Sequence, residues 1–346
     1  MAMSARSPHL RRLLAALAVA GLSVAAASCT SSSTPSATPS TSTTTTAAPA
    51  PPGEPLPGCD DTKTEGSAAP TASFEPTPLP PPGQMPAGSY MAVIQDRGRL
   101  IVGASADTYG MGARDPFTGE IVGFDIDQLK RVAAAIFPDA VRADGTINPE
   151  RVEFKIVTYA ERIPALESGE VDIVAHSMTI NCVRWNRIDF SAEYYTASQK
   201  VLVPKGSGAA GIEDLGGKRV CTQNGTTSID RLRNDYPDVQ IVAVDDVSDC
   251  LVRFQTGEAD AISGDDTVLA GFAKQDPFAQ VAVKPLSSEP YGMGINKDHP
   301  EFVRFVNAVL AKSIADGSWQ ASYDTWLKTG DDDLTKPPTP NYDREP

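Results

Sequence analysis

From residue 90 onward, short apolar runs alternate with stretches of helical periodicity. Residues 99–104 (Arg99-Leu100-Ile101-Val102-Gly103-Ala104) predict a short buried strand, and 105–119 a polar, glycine-bearing loop. Beyond Gly123, the apolar residues Leu129, Val132, Ala133, Ile136 and Phe137 recur at helical spacing. A strand is predicted at 152–158 and a short helix at 162–168, with Gly169 at its C-terminal position. A third strand follows at 171–175. Strands alternating with helices predict a parallel α/β sheet.

The pattern begins again near Ser198. Strands are predicted at 200–203, 219–222 and 240–244, and helices from Ile229 and at 249–256. Gly257-Glu258-Ala259-Asp260-Ala261-Ile262 repeats the texture of Gly169-Glu170-Val171-Asp172-Ile173-Val174. That echo predicts two lobes built alike. The chain crosses back near Glu289-Pro290-Tyr291-Gly292 and ends in a helix at 301–315. Trp319, Tyr323 and Trp326 then stand at helical spacing, where packing is the expected role.

Residues 172–191 read as strand, hydroxyl-lined turn (Ser177, Thr179), helix cap (Asn181) and arginine (Arg184). A helix start offers backbone N–H groups and partial positive charge. Arg184 adds a planar fork for both oxygens of a small carboxylate. An ordinary βα turn with a surface arginine reads equally well from these residues alone.

The N-terminal third has another texture. Arg6, Arg11 and Arg12 precede an apolar segment at 13–24, small residues and Cys29. This resembles a bacterial lipoprotein signal, in which Cys29 becomes the lipidated first residue. Residues 30–57 are almost wholly Ser, Thr, Ala and Pro, so they cannot bury a core and are expected to form a tether. Residues 58–89 are expected to lie on the body as an extended arm. The tail at 331–346 is acidic and then proline-rich, and is expected to be flexible. The 346 residues carry a formal charge of −14, and no basic stripe marks a nucleic-acid partner. The cysteine spacings fit no zinc pattern, so neither metal nor cofactor is expected. Apart from Cys29, four cysteines remain, allowing three disulfide pairings in an exported chain.

These features occur in order: Gly123-Phe124-Asp125-Ile126-Asp127, Ile163-Pro164-Ala165-Leu166, Asp172-Ile173, Thr179 with Arg184, Ile188-Asp189-Phe190-Ser191, Gly225-Thr226-Thr227-Ser228, Ala259-Asp260-Ala261 and Tyr291-Gly292. Together they resemble the polar amino-acid solute-binding proteins of ABC importers, bacterial extracellular solute-binding family 3. The lipid-anchored form is similar to the glutamine/glutamate-binding lipoproteins of actinobacteria. The resemblance implies an α/β, two-lobe periplasmic-binding-protein-like (type 2) fold with ligand in the cleft. Residues 1–28 are then the signal peptide and 29–57 the tether. Lobe 1 spans 90–197 plus 288–330, and lobe 2 spans 198–287. With that division, Cys221–Cys250 falls in one lobe, leaving Cys59–Cys182.

The resemblance further implies that Arg184 holds the ligand α-carboxylate with Ser177 and Thr179. Thr226 and Thr227 would donate from the opposite lobe, Asp265 would take the α-ammonium, Asp107 would touch the ligand, and Tyr159 would form an aromatic platform. Gln223 stands where glutamine receptors often carry lysine, and Tyr109 is the candidate for a missing aromatic wall. Arg162 and His176 are candidates for a side-chain carboxylate, although a surface arginine and a satisfied histidine are the plainer readings. The implied partners are a polar amino acid, acidic or amide, and an ABC permease on the extracytoplasmic membrane face, with the receptor expected to be a monomer. A membrane sensor is the alternative partner. A dehydratase-like enzyme would need Glu193, His176 or Asp266 as its acid or base.

Overall fold

A computed structural model describes residues 71–328 and 336–344. Cys29, the tether and Cys59 lie outside the described residues. Residues 71–89 form neither helix nor strand. There follow α1 (Tyr90–Arg97), β1 (Leu100–Ala104), β2 (Asp107–Thr108), β3 (Gly112–Arg114), β4 (Ile121–Val122), α2 (Phe124–Ile136), β5 (Val152–Ile156), α3 (Arg162–Glu167), β6 (Ile173–Val174), α4 (Cys182–Trp185) and β7 (Asp189–Phe190). The long strand β8 (Tyr195–Pro204) leads out of this lobe. The second lobe holds β9 (Arg219–Gln223), α5 (Thr227–Asp235), β10 (Gln240–Val244), α6 (Val247–Gln255), β11 (Ala261–Asp265), α7 (Asp266–Gln275) and β12 (Ala279–Val281). Strand β13 (Ser287–Tyr291) returns, and β14 (Gly294–Ile295), α8 (Pro300–Ala315) and α9 (Ser318–Trp326) complete lobe 1.

The lobe 1 sheet has the order β5-β1-β6-β14-β7, with β1 parallel to β5 and β6 and β14 antiparallel to its neighbours. The lobe 2 sheet runs β10-β9-β11-β8-β12. Its first three strands are mutually parallel, and β8 is antiparallel to β11. The two crossings are strands that pair with each other, β8 against β13, from Tyr195↔Tyr291 to Ser287↔Gln199. Strand β8 passes without a break through Ser198, the expected start of lobe 2. The hinge is thus a two-stranded ribbon whose backbone groups are mutually satisfied.

Helix α2 buries Phe124, Ile126, Leu129, Val132, Ala133 and Ile136, the stripe its periodicity predicts. Against it, Trp319 stacks on Tyr323 at 5.6 Å, and both are buried. The Trp319 indole donates to Tyr194 O at 2.8 Å, so its one donor is satisfied. In lobe 2, Cys221 on β9 and Cys250 on α6 form a disulfide. Cys182 is also disulfide-bonded.

Two expectations need correction. The loop predicted at 105–119 contains β2 and β3, which with β4 make a small antiparallel sheet. Residues 336–344 are not a free tail. Ser73 N donates to Asn341 O at 2.9 Å, and Arg344 N to Ser73 O at 3.2 Å. The Arg344 guanidinium pairs with buried Asp189 at 2.7 Å and lies over the Phe74 ring at 4.2 Å. A buried ion pair and a stacked cation hold this segment against the 71–74 stretch of the arm, a combination that proline and acid content do not reveal.

Candidate functional site

The site starts at the end of β6. Ser177 has φ 42°, the one positive φ among the described non-glycine residues. Its N–H donates to Asp125 Oδ2 at 2.8 Å, which holds the turn in that costly conformation. Asp125 is buried in α2 and also accepts from Tyr194 OH at 2.6 Å. Burial pushes its carboxyl up to about 6, against the pull of these two bonds and of Arg162. Asn181 caps α4 as expected, its side chain accepting from Arg184 N at 2.9 Å. Helix α4 is only four residues long, so it carries little macrodipole. The positive charge at this wall therefore comes from side chains: Arg184 is buried and donates to Thr179 O at 3.0 Å, and Arg162 is buried beside it.

The opposite wall belongs to lobe 2. Thr226 caps α5 by accepting from Ile229 N at 3.2 Å, while its hydroxyl donates to Gln223 O at 2.7 Å. Thr227 Oγ1 donates to Glu289 Oε2 at 2.9 Å. Asp265, at the end of β11, accepts from Tyr291 OH at 2.6 Å through Oδ2. Its Oδ1 is buried with no hydrogen-bond partner among the described residues, as are Ser177 Oγ and Gln223 Nε2. Burial first, then the nearby Glu289, pushes the Asp265 carboxyl up to about 8, while Tyr291 and Arg184 oppose the shift.

These walls meet. Tyr159, Arg162, Ser177, Thr179 and Arg184 from lobe 1 face Gln223, Thr226, Thr227 and Asp265 from lobe 2 across one cavity. It encloses about 10 Å³, room for a single water molecule. The lobes are shut on each other: Arg162 and Arg184 both donate to Gly225 O of lobe 2, at 3.0 and 3.3 Å. Anything larger than a water therefore needs the lobes to part before it enters. Wider grooves of about 600 and 790 Å³ open elsewhere. Neither gathers opposed buried charges, so chemistry and not volume singles out the central cavity. Among the described residues, no cluster of three or more His, Cys, Asp or Glu could hold a metal ion.

Nine expected residues are thus brought together: Arg184, Asp265, Thr179, Ser177, Thr226, Thr227, Tyr159, Gln223 and Arg162. Arg162 is buried and not a surface arginine. Its guanidinium lies over the Tyr159 ring at 4.6 Å and donates to Tyr159 O and His176 O, both at 2.9 Å. Asp107 and His176 do not line the cavity but an adjacent groove. Asp107 spans the lobes, accepting from Ser105 Oγ at 2.9 Å and from Ser248 N at 3.1 Å. His176 stacks on Tyr159 at 4.4 Å, and neither ring nitrogen has a partner among the described residues. Burial and then Arg162 depress its pKa well below the usual range, so it is neutral. Nor is His176 the satisfied histidine of the plainer sequence reading.

Tyr109 is half exposed, 5.6 Å from Lys274 Nζ, and supplies no cavity wall. Glu193, bonded to Thr196, and Asp266, paired with Lys200 at 3.3 Å, also lie off the cavity. Sequence reasoning missed Glu289, Tyr291 and Asp125 as parts of the site. Residues 287, 289 and 291 alternate as Ser, Glu and Tyr on one strand face. That period-2 alternation marks one face of the crossing strand.

A family model for bacterial extracellular solute-binding proteins, family 3, matches residues 100–329. The chain is 34% identical over 239 residues to the ABC transporter glutamine-binding protein GlnH of Bacillus subtilis (strain 168), covering 69% of this chain and 84% of that one. It is 30% identical over 246 residues to the glutamate-binding protein GluB of Corynebacterium efficiens, covering 69% and 82%. The solved cysteine-binding protein from Campylobacter jejuni matches with a TM-score of 0.65 at 26% identity, over 70% of this chain and 96% of that one.

Proposed function

The chain belongs to the bacterial extracellular solute-binding proteins of family 3, and from that premise we propose that it captures a polar amino acid by lobe closure and delivers it to an ABC importer. The observation that carries this reading is the pair of opposed walls. A buried guanidinium stands on lobe 1, and on lobe 2 a buried carboxylate has one oxygen unpartnered among the described residues. An amino acid is a zwitterion, and closing a cleft on it desolvates both charges at several kcal/mol per ion unless each is matched. In this reading Arg184, with Ser177 and Thr179, takes the α-carboxylate and Asp265 the α-ammonium. Thr226 and Thr227 act mainly as structural supports, since their hydroxyls are engaged by Gln223 O and Glu289. Charge-assisted bonds contribute about 1.5–3 kcal/mol each, so a few reach the roughly −8 kcal/mol of micromolar capture. Because the two charges sit on different lobes, the ligand stabilises the closed form.

Arg162 adds a second buried guanidinium to the same cavity and favours a ligand with a second carboxylate, glutamate or aspartate. A glutamine or asparagine reading rests on the unpartnered Gln223 amide and on the glutamine-binding relative. The acid–base candidates Glu193, His176 and Asp266 lie off the cavity, and the relatives are named as binding proteins. Cys29, after a basic and then apolar leader, is the proposed lipid anchor on the extracytoplasmic face. No helix among the described residues is long and apolar enough to cross a membrane.

Uptake of radiolabelled glutamate and glutamine, in cells lacking this chain and in cells carrying Cys29→Ala, tests the assignment. Loss of uptake in the first, and release of the protein from the membrane fraction in the second, are expected. Unchanged uptake with intact ligand binding points to a sensor, and a Cys29→Ala protein that stays on the membrane refutes the anchor.

A further inference from the structure

Two buried carboxylates, Asp265 at the cavity and Glu289, share one face of the sheet. Asp265 on β11 sits opposite Gln199 on one edge of β8, and Ser287 of β13 sits opposite Gln199 on the other. Side chains alternate along a strand and opposed residues share a face. Asp265, Gln199, Ser287, Glu289 and Tyr291 therefore lie on the same side of the sheet. The contacts agree: Tyr291 OH reaches Asp265 and Ser287 Oγ reaches Glu289. Asp265 is 9% exposed and Glu289 1%.

The hydroxyl donors are shared unequally. Glu289 accepts from two, Thr227 on Oε2 and Ser287 on Oε1. Asp265 accepts from one, Tyr291 on Oδ2, and its Oδ1 has no hydrogen-bond partner among the described residues. Two negative charges so placed repel, and with a single donor Asp265 is poorly compensated for holding its charge. The groups acting on Asp265 come from every neighbouring element. Glu289 and Tyr291 stand on β13, Asp266 opens α7, and Arg184 faces it from α4. Tyr159, ahead of α3, also senses the Asp265 charge. Asp266 is itself paired with Lys200. Arg184 and Arg162 both line the cavity opposite Asp265; Arg184 opposes the rise of its carboxyl, and in the reading above it is the group that takes the ligand's carboxylate.

We propose that Asp265 holds a proton until an amino acid binds and then releases it, with Glu289 as the positioning residue that keeps it there. The step balances simply. A carboxylic acid and an ammonium become a carboxylate–ammonium pair, and the proton passes to the buffer. An opposite charge beside Oδ1 favours the ionised form. The direction already found for Asp265, up to about 8, agrees. Capture then tightens as pH rises toward about 8, approaching tenfold per pH unit. Acid outside the cell would weaken the receptor.

The proposal rests on the amino-acid reading of the cavity. It is tested by calorimetry of the intact chain with L-glutamate and L-glutamine at about pH 6.5, in two buffers of different ionisation enthalpy. Release of about one proton per ligand is expected, with a dissociation constant that falls roughly twentyfold from about pH 6 to about pH 7.5. Glu289→Gln is expected to lower the release and flatten that pH profile, and should it not fold, the wild-type buffer comparison decides. Saturable binding with buffer-independent heat overturns the proposal alone. Unchanged proton release in Glu289→Gln overturns the role of Glu289. No binding of any amino acid removes the reading of the cavity as well.

Discussion

Asp265 is a carboxylate that burial and Glu289 hold toward its neutral form. A raised carboxyl contributes stability that is fully present below its ordinary 3.8 and lost as pH rises through about 8. The ligand-free protein is therefore expected to melt at progressively lower temperature across that window. Asp265→Asn should remove its share of the slope and weaken every α-amino acid alike. Scanning calorimetry without ligand, followed by titration with several amino acids, checks both. A loss confined to one ligand would show that Asp265 reads side chains instead. Arg184 stands out from the residues of its own stretch, whereas Asp265 is reached only through the family resemblance. Asp125 gives no such sign, and the alternation of residues 287, 289 and 291 shows only which face Glu289 shares. An acid in a short polar run gives no sign that a neighbouring strand will bury it beside another acid, or that a turn 52 residues away will need its oxygen.

At the scale of elements, periodicity located most of the framework, and local chemistry set the ends. Helix α5 starts at Thr227 and not at Ile229, because the Thr226 hydroxyl caps it. Strand β7 is only two residues long, too brief for a pattern to show, and β6, expected over 171–175, narrows to Ile173–Val174. The loop between β9 and α5 has the most direct bearing on closure. Gly225 has φ +70°, and a Cβ there would stand 2.6 Å from Ala160 Cα on the facing lobe. Its carbonyl is also the acceptor for Arg162 and Arg184. Gly225→Ala adds a left-handed cost of about 1 kcal/mol and an interlobe clash. We expect at least a tenfold loss of affinity, uniform over ligands, with small-angle scattering showing a more open molecule in saturating ligand. Closure like that of the wild type would disprove this contact's role.

Over the whole molecule, the two-lobe plan was readable from the repeated Gly-Glu/strand texture and the motif order, because each lobe repeats the same alternation of buried strand and amphipathic helix. What could not be read was how tightly the lobes meet. The cavity closes to about 10 Å³ because long-range bonds join the lobes: Arg162 and Arg184 to Gly225, and Asp107 to Ser248. The 336–344 segment escaped notice for the same reason, since its anchor Asp189 lies 155 positions away. Pairings of that separation leave no local trace in composition or periodicity.

The central claim is that this closed cavity grips a zwitterion between Arg184 on one lobe and Asp265 on the other. Titration calorimetry of glutamate, aspartate, glutamine and asparagine, into the wild type and into Arg184→Ala with its fold verified by circular dichroism, tests it most directly. Removing one partner of a buried, hydrogen-bonded charge pair costs about 2–5 kcal/mol. Saturable binding on the order of micromolar is expected for the wild type, with glutamate the tightest, and a loss of at least about thirtyfold for every ligand in the variant. Failure of the wild type to bind any of the four, or an Arg184→Ala protein that binds them as tightly as the wild type, would contradict it.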